Sequence, residues 1–191
     1  MTEPSDAEKA ITAQIQVPAP LPEVWKAWTT EEGAQSFFAP RCRIDLKPGG
    51  AYEMLFDLEA GRIDLKPGGA YEMLFDLEAE PGKRGGEGMV VMAVQPERML
   101  AFTWNAPPHL STVRGQRTHV VVRLFETEAG GTRVLLRHDG WGEGEEWEEA
   151  FEYFTRAWRD VVLPRLRVRF ARGPIDWSHP PALDERGERS G

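Results

Sequence analysis

The chain has 191 residues, a formal net charge of −8 at pH 7 and 41% hydrophobic content, with seven Trp and nine Phe. That length suits one domain, or a domain with an appendage, and the aromatic content is enough for a substantial core. The acidic balance argues against nucleic acid and against anionic membrane as partners. A single cysteine, Cys42, excludes an internal disulfide framework and fits a reducing compartment. Met1–Lys9 is polar rather than apolar and no run reaches membrane-spanning length, so a cytoplasmic location is expected.

Residues 1–10 read as a disordered leader. Ile11, Ala13, Ile15 and Val17 then alternate with Thr12, Gln14 and Gln16, which predicts a half-buried strand. Pro18, Pro20 and Pro22 end it and open a helix, with Pro22 in the first turn and Leu21, Val24, Trp25 and Trp28 as the apolar face. Thr29 stands three residues before Glu32 in capping-box spacing, predicting a second short helix through Phe37 and Phe38 that Pro40 stops.

The next stretch is written twice. Arg43–Ala60 reads RIDLKPGGAYEMLFDLEA and Arg62–Ala79 repeats it residue for residue, with Gly61 between. Repeat architectures need several diverged units, so two identical copies point instead to a recent tandem duplication or to deliberate construction. Each copy is a hairpin by itself: Ile44 and Leu46 lead into a Lys-Pro-Gly-Gly turn, and Tyr52, Met54, Phe56 and Leu58 alternate with acidic residues. One copy satisfies a fold that needs two strands here, which makes the other surplus. Both strands can come from the first copy, both from the second, or one each from Ile44–Lys47 and Tyr71–Leu77. The first arrangement is favoured because it leaves the spare copy beside the loop Glu80–Gly88, where added length is tolerated.

Further strands follow at Met89–Val94, Leu100–Trp104, Thr118–Thr127 and Thr132–Gly140. In the last two, Val120, Val122 and Leu124 share a face, as do Val134, Leu136 and His138, with Arg123, Arg133 and Arg137 opposite. Tight turns between sequential strands predict an antiparallel meander with one dry face. Gly144–Arg172 is the long C-terminal helix. Trp147, Phe151, Phe154, Trp158 and Val161 recur at its period, Glu residues crowd its start and Arg residues its end. The arginines, including Arg165, read as a solvated face. Pro164 removes the bond to the Asp160 carbonyl and predicts a kink or split. Residues 178–191 read as a disordered tail, with Trp177 docking if order extends that far. Strand, two helices, many strands and a long helix make an α+β layout, with helices on one side of a curved sheet.

Taken in order, VWKAWTTEEGAQSFFAP, RIDLKPGGAYEM, GMVVMAVQPERMLAFTW, GGTRVLLRHDGW and FTRAWRDVVLPRL resemble the SRPBCC superfamily, the START and Bet v allergen-like proteins. Within it the nearest branch is the homologues of the activator of the heat-shock-protein-90 ATPase. The resemblance spans about Ile11 to Trp177, departs from the family pattern at the duplicated hairpin, and implies one helix-grip domain over 11–177. In that fold a seven-stranded antiparallel sheet curls around the C-terminal helix, with an apolar cavity between.

On that footing Tyr52, Phe56, Phe102, Trp104, His138, Trp147, Phe151, Phe154 and Trp158 are expected to line a site for a small hydrophobic molecule. Ordinary core packing is the competing reading of the same rings. His138 is the one weak candidate for general acid or base chemistry, weighed against a buried structural role. Cys42 reads as a small buried group. No histidine pair has metal-ligand spacing and no phosphate-cradling or nucleophile motif occurs, so no metal and no cofactor are expected. A ligand binder without chemistry leads; a cyclase- or hydrolase-like enzyme and a co-chaperone-like interaction domain are the alternatives. The spare hairpin keeps an apolar face and could pair with a second chain in a homodimer. Deleting residues 61–79 is therefore expected to preserve the fold and to raise both thermal stability and monomer content. Circular dichroism melts and size-exclusion chromatography check this, and an unfolded deletion variant would show that the second copy is integral.

Overall fold

The computed structural model describes residues 9–56 and 85–181. The second repeat copy lies outside the described residues, as do most of the leader and all but the start of the tail. The elements run β1 (Ile11–Val17), α1 (Leu21–Thr29), α2 (Glu31–Gln35), β2 (Arg41–Ile44), β3 (Tyr52–Leu55), β4 (Val91–Gln95), β5 (Met99–Trp104), β6 (Thr118–Glu126), β7 (Thr132–Asp139), α3 (Glu145–Arg156), a π-helical stretch Ala157–Val162, and α4 (Leu163–Arg172).

Five antiparallel strands pair in the order β1-β7-β6-β5-β4, and β2 pairs with β3. The two sheets meet at a narrow seam. Tyr52 N–H donates to the Met89 carbonyl and Val91 N–H to the Gly50 carbonyl, both at 2.8 Å, around an Ala51–Val90 bridge. The result is the expected α+β helix-grip arrangement, with seven strands among the described residues linked as five plus two. Both β2 and β3 are drawn from the first repeat copy and its flank, with Ile44 opposite Tyr52 and Arg41 opposite Leu55.

Alternation decides which face is dry. Val120, Val122 and Leu124 on β6 and Val134, Leu136 and His138 on β7 are buried, while Arg123 opposite them is exposed. The joined helical elements α3 to α4 and the α1–α2 pair cover that dry face, and one cluster of buried residues runs through all of them.

Three local readings of the sequence need correcting. The cap of α2 is Thr30, whose hydroxyl accepts from Gly33 N–H at 3.0 Å; Thr29 closes α1 and donates back to the Trp25 carbonyl at 2.7 Å. Two adjacent threonines made the sequence ambiguous by one residue, and only the one with extended backbone can cap. α2 also stops at Gln35, so Phe37 and Phe38 follow it in a turn, both fully buried.

The long helix is divided into α3, the π stretch and α4 just before Pro164, and the helical path continues past the proline. The bonding register widens just before it, Leu163 N–H reaching the Trp158 carbonyl five residues back, and the helical path runs on to Arg172. Pro164 thereby falls in the first turn of α4, directly after the register change. A π stretch turns the following residues around the axis relative to an α-helix. Arg165 consequently lands inside: it is 6% exposed, with its guanidinium 5.2 Å from the Trp177 ring centroid. Its place in a solvated arginine face is thus overturned by the register change, which the spacing of charges alone does not reveal.

Trp177 donates its indole N–H to the Gln35 carbonyl at 2.6 Å, and Ile175 N–H donates to the Ser36 carbonyl at 2.9 Å. These bonds tie the end of the helix to the α1–α2 corner that presents Phe37 and Phe38. The corner is tight at Gly33, where a Cβ would lie 2.2 Å from the Lys26 carbonyl oxygen and 2.6 Å from the Ala27 Cα. Both atoms are backbone, so α1 and α2 would have to separate. Gly33→Ala is expected to lower stability by about 1–3 kcal/mol, the usual range for overpacking, as read from urea denaturation.

Candidate functional site

Aromatic rings from four regions meet between the sheet and the long helix. Phe38 from the α2 turn stacks on Trp104 of β5 at 5.8 Å and meets Trp158 of the π stretch edge-on at 5.8 Å. Trp104 and Trp158 are 5.9 Å apart, and Phe102 lies 5.7 Å from Trp104 and 4.3 Å from Tyr52. Phe56 touches Phe38 at 6.3 Å. On the other side Trp158 stacks on Phe154, which leads through Trp141 to Phe151. The rings thus form a continuous path from the interior to the protein edge.

His138 lies within this path, fully buried. Its Nδ1 takes the Trp158 indole N–H at 2.9 Å and its Nε2 lies 2.7 Å from Thr118 Oγ1. An indole nitrogen only donates, so Nδ1 is the bare nitrogen and Nε2–H donates to Thr118. Thr118 in turn donates to the Trp104 carbonyl at 3.3 Å. Burial, and secondarily the charge of His119, hold the His138 imidazolium well below the ordinary histidine range. The ring is neutral and both nitrogens are used internally, so in this arrangement it has no proton position directed at a second molecule.

Two other titratable groups are silenced the same way. Tyr52 donates its hydroxyl to the Trp28 carbonyl at 2.8 Å, and burial raises its phenol well above the ordinary value. Cys42 is half-buried, donates its thiol to the Glu31 carbonyl at 3.3 Å, and is pushed up to about 11, first by burial and then by the Glu31 carboxylate. A thiol held so far above neutrality is not a nucleophile at physiological pH. Among the described residues no group of three His, Cys, Asp or Glu side chains is placed to hold a metal ion.

The rim of the ring path is built by the start of α3. Glu146 accepts from Thr112 N–H and Thr112 hydroxyl, each at 2.9 Å, and from Val113 N–H at 3.2 Å. These bonds seat the β5–β6 loop on the helix, where Leu110 and Val113 pack with Trp147 and Ala150 as a second small core. Trp141 touches both cores. Phe151 is half-buried beneath Lys9, whose ammonium lies 4.5 Å from its centroid and pairs with Glu148 at 2.6 Å.

Of the nine residues singled out from sequence, Tyr52, Phe56, Phe102, Trp104, Phe154 and Trp158 join the main cluster with His138. Phe151 stands at its edge, and Trp147 belongs to the smaller core. Trp28, Phe37, Phe38 and Trp141 also belong to the ring path and were not selected. Trp28 had a signal in the apolar face of α1; Phe37 and Phe38 had none beyond their size. Two surface clefts formed by described residues, of about 470 Å³ beside α1–α2 and about 640 Å³ beside the β6–β7 turn, include none of the nine. Tyr52, Phe102 and Trp158 are at most 1% exposed, so no water-sized room adjoins them.

The family model of Activator of Hsp90 ATPase homolog 1-like proteins matches residues 18–60 and 53–169. The chain belongs to that family. The change from one matched span to the next falls within the first repeat copy. Protein MLL2253 from Mesorhizobium loti is similar in structure, with a TM-score of 0.59 at 16% identity over 87% of this chain and 100% of that one. The Aha1 dimer from Colwellia psychrerythraea gives 0.56 at 17% identity, over 86% and 98%. CalU16 from Micromonospora echinospora gives 0.54 at 20% identity, over 88% and 78%. At such identities the likeness is one of fold. No curated protein matches the chain in sequence.

The His138 arrangement has a pH consequence. The unfolded residue takes a proton near its ordinary value of 6.5, and the folded one only well below it. The stability gained from a neutral His138 is therefore complete above that value and is lost as pH falls beneath it. Unfolding free energy should drop by up to about 1.4 kcal/mol per pH unit below this point from His138 alone. In His138→Gln, which still offers Trp158 an acceptor but takes no proton, that part of the slope should vanish. Urea titrations across the acid range check it.

Proposed function

We propose that the protein binds one small apolar or aromatic molecule among the rings between the sheet and the C-terminal helix, and holds it without reacting with it. The observation that carries this reading is the unbroken path of rings from half-buried Phe151 and Trp141 to fully buried Phe38 and Trp104. Sites of this kind are concave, mostly apolar, and have few polar groups. Because the inner rings touch one another, a guest gains access only when the rim parts. The movable part of that rim is the β5–β6 loop, fastened by Glu146, together with the segment Gly140–Gly144. Gly140 and Gly144 have φ values of +83° and +113°, which glycine adopts without strain.

Family membership supports a ligand-carrying interior of this shape, and fold alone leaves the chemistry to the particular side chains. The engaged His138 favours binding over catalysis. Self-association is a separate proposal. Its sequence basis, the second repeat copy, lies outside the described residues; one structural relative is described as a dimer. No helix among the described residues is long and apolar enough to cross a membrane, and the lone cysteine supports a cytoplasmic setting.

Titration with a neutral fluorescent probe such as Nile red tests the binding reading. Saturable binding at one per chain is expected, with a melting temperature that climbs as probe concentration rises. Phe154→Ala should cost about 3–5 kcal/mol of stability because Phe154 is core, whereas Phe151→Ala should cost much less and speed probe uptake. Unsaturable binding with an unmoved melting temperature would refute the proposal.

A further inference from the structure

We infer that the indole N–H of Trp28 is the polar recognition point for the bound molecule, which is therefore an uncharged apolar or aromatic compound carrying a hydrogen-bond acceptor, such as a ketone or ester carbonyl. The inference rests on the ligand-binding reading above and specifies the chemistry of its guest.

Trp28 is fully buried, and its Nε1 has no hydrogen-bond partner among the described residues. Buried polar groups are normally paired, so an exception in a packed core calls for a physical reason. Several other polar groups of the ring path are spent. The Trp158 indole is taken by His138, the His138 Nε2–H by Thr118, the Thr118 hydroxyl by the Trp104 carbonyl, and the Tyr52 hydroxyl by the Trp28 carbonyl. Trp28 Nε1 is fully buried and has no such partner among the described residues. Its ring neighbours Phe37 and Phe38, at 5.0 and 5.7 Å, offer only π faces, which accept weakly.

Indole has a donor and no acceptor nitrogen, so only an acceptor on the guest satisfies it. The guest's lack of charge follows from the surroundings. Trp28 packs against Phe37 and Phe38, and both titratable rings of the path, Tyr52 on its carbonyl and His138, stay neutral. A carboxylate brought there would lose its hydration. Position completes the argument. From the rim the path passes Trp141, Phe154, Trp158 and Phe38 before reaching Trp28, so the guest's acceptor end is the leading, deep end.

Fluorene and fluorenone share one tricyclic frame and differ by a methylene against a carbonyl, which makes them the probe pair. Calorimetric titration of the full chain should show fluorenone tighter by about 3- to 10-fold, the worth of one net hydrogen bond. Trp28→Phe should bring the two probes to equal affinity. Should that variant fail to fold, nitrogen–proton correlation spectra of the unaltered protein supply the second readout. The Trp28 indole resonance is expected to shift downfield with fluorenone and not with fluorene. Equal affinities in the unaltered protein, a preference that survives in folded Trp28→Phe, or an unmoved resonance would each overturn the assignment while leaving the binding reading intact. Failure of both probes to bind would instead overturn the binding reading, and the role of Trp28 with it.

Discussion

The burial of Trp158 between the helix and the dry face of the sheet is the contact on which the rest of the interior depends. Its ring touches Phe38, Trp104 and Phe154, each from a different part of the chain. Aromatic pairs of this kind are worth about 0.5–1.5 kcal/mol beyond their area. Its indole N–H imposes a second requirement, because a buried donor left unpaired costs about 1–3 kcal/mol. His138 meets it, and doing so fixes the tautomer that then commits Thr118 and the Trp104 carbonyl. One tryptophan thus anchors the helix to β7, β6 and β5 through a single line of hydrogen bonds. Trp28 breaks the same rule in the same core, its indole donor having no partner among the described residues.

Charge is used locally rather than as a general field. The glutamates at the start of α3 favour the positive end of the helix dipole, yet three of them have specific duties. Glu146 seats the β5–β6 loop, Glu148 pairs with Lys9 over Phe151, and Glu149 contacts His109 at 3.0 Å. All three lie at the rim of the ring path. The exposed pairs contribute little stability in themselves, and they fasten the β5–β6 loop and Lys9 to the start of α3.

Relatives with TM-scores of 0.54 to 0.59 at 16% to 20% identity share the architecture while differing at most positions. An apolar interior under a curved sheet tolerates many sequences, provided volume and pattern are kept. Shape is therefore what this chain shares with them. Among the polar groups inside this chain are a histidine with both nitrogens engaged and a buried indole without a partner among the described residues.

Periodicity and turn chemistry alone determined the element order, the dry faces of β6 and β7 and the aromatic stripe of the long helix, because each is written in spacing along one segment. The role of His138 was half legible: its place on the dry face follows from alternation, but its partners lie 20 residues away on either side. Phe37 and Phe38 could not be recognised as the inner wall, since a turn after a five-residue helix has no period to read. The exact cap at Thr30 turned on backbone angles. Arg165 shows the limit most clearly. Sequence spacing presumes a constant helical register, and the π stretch changes it, moving an arginine inside. Tertiary packing decided that change, because only contacts from the sheet, the α2 turn and Trp177 determine which residues of a helix face inward.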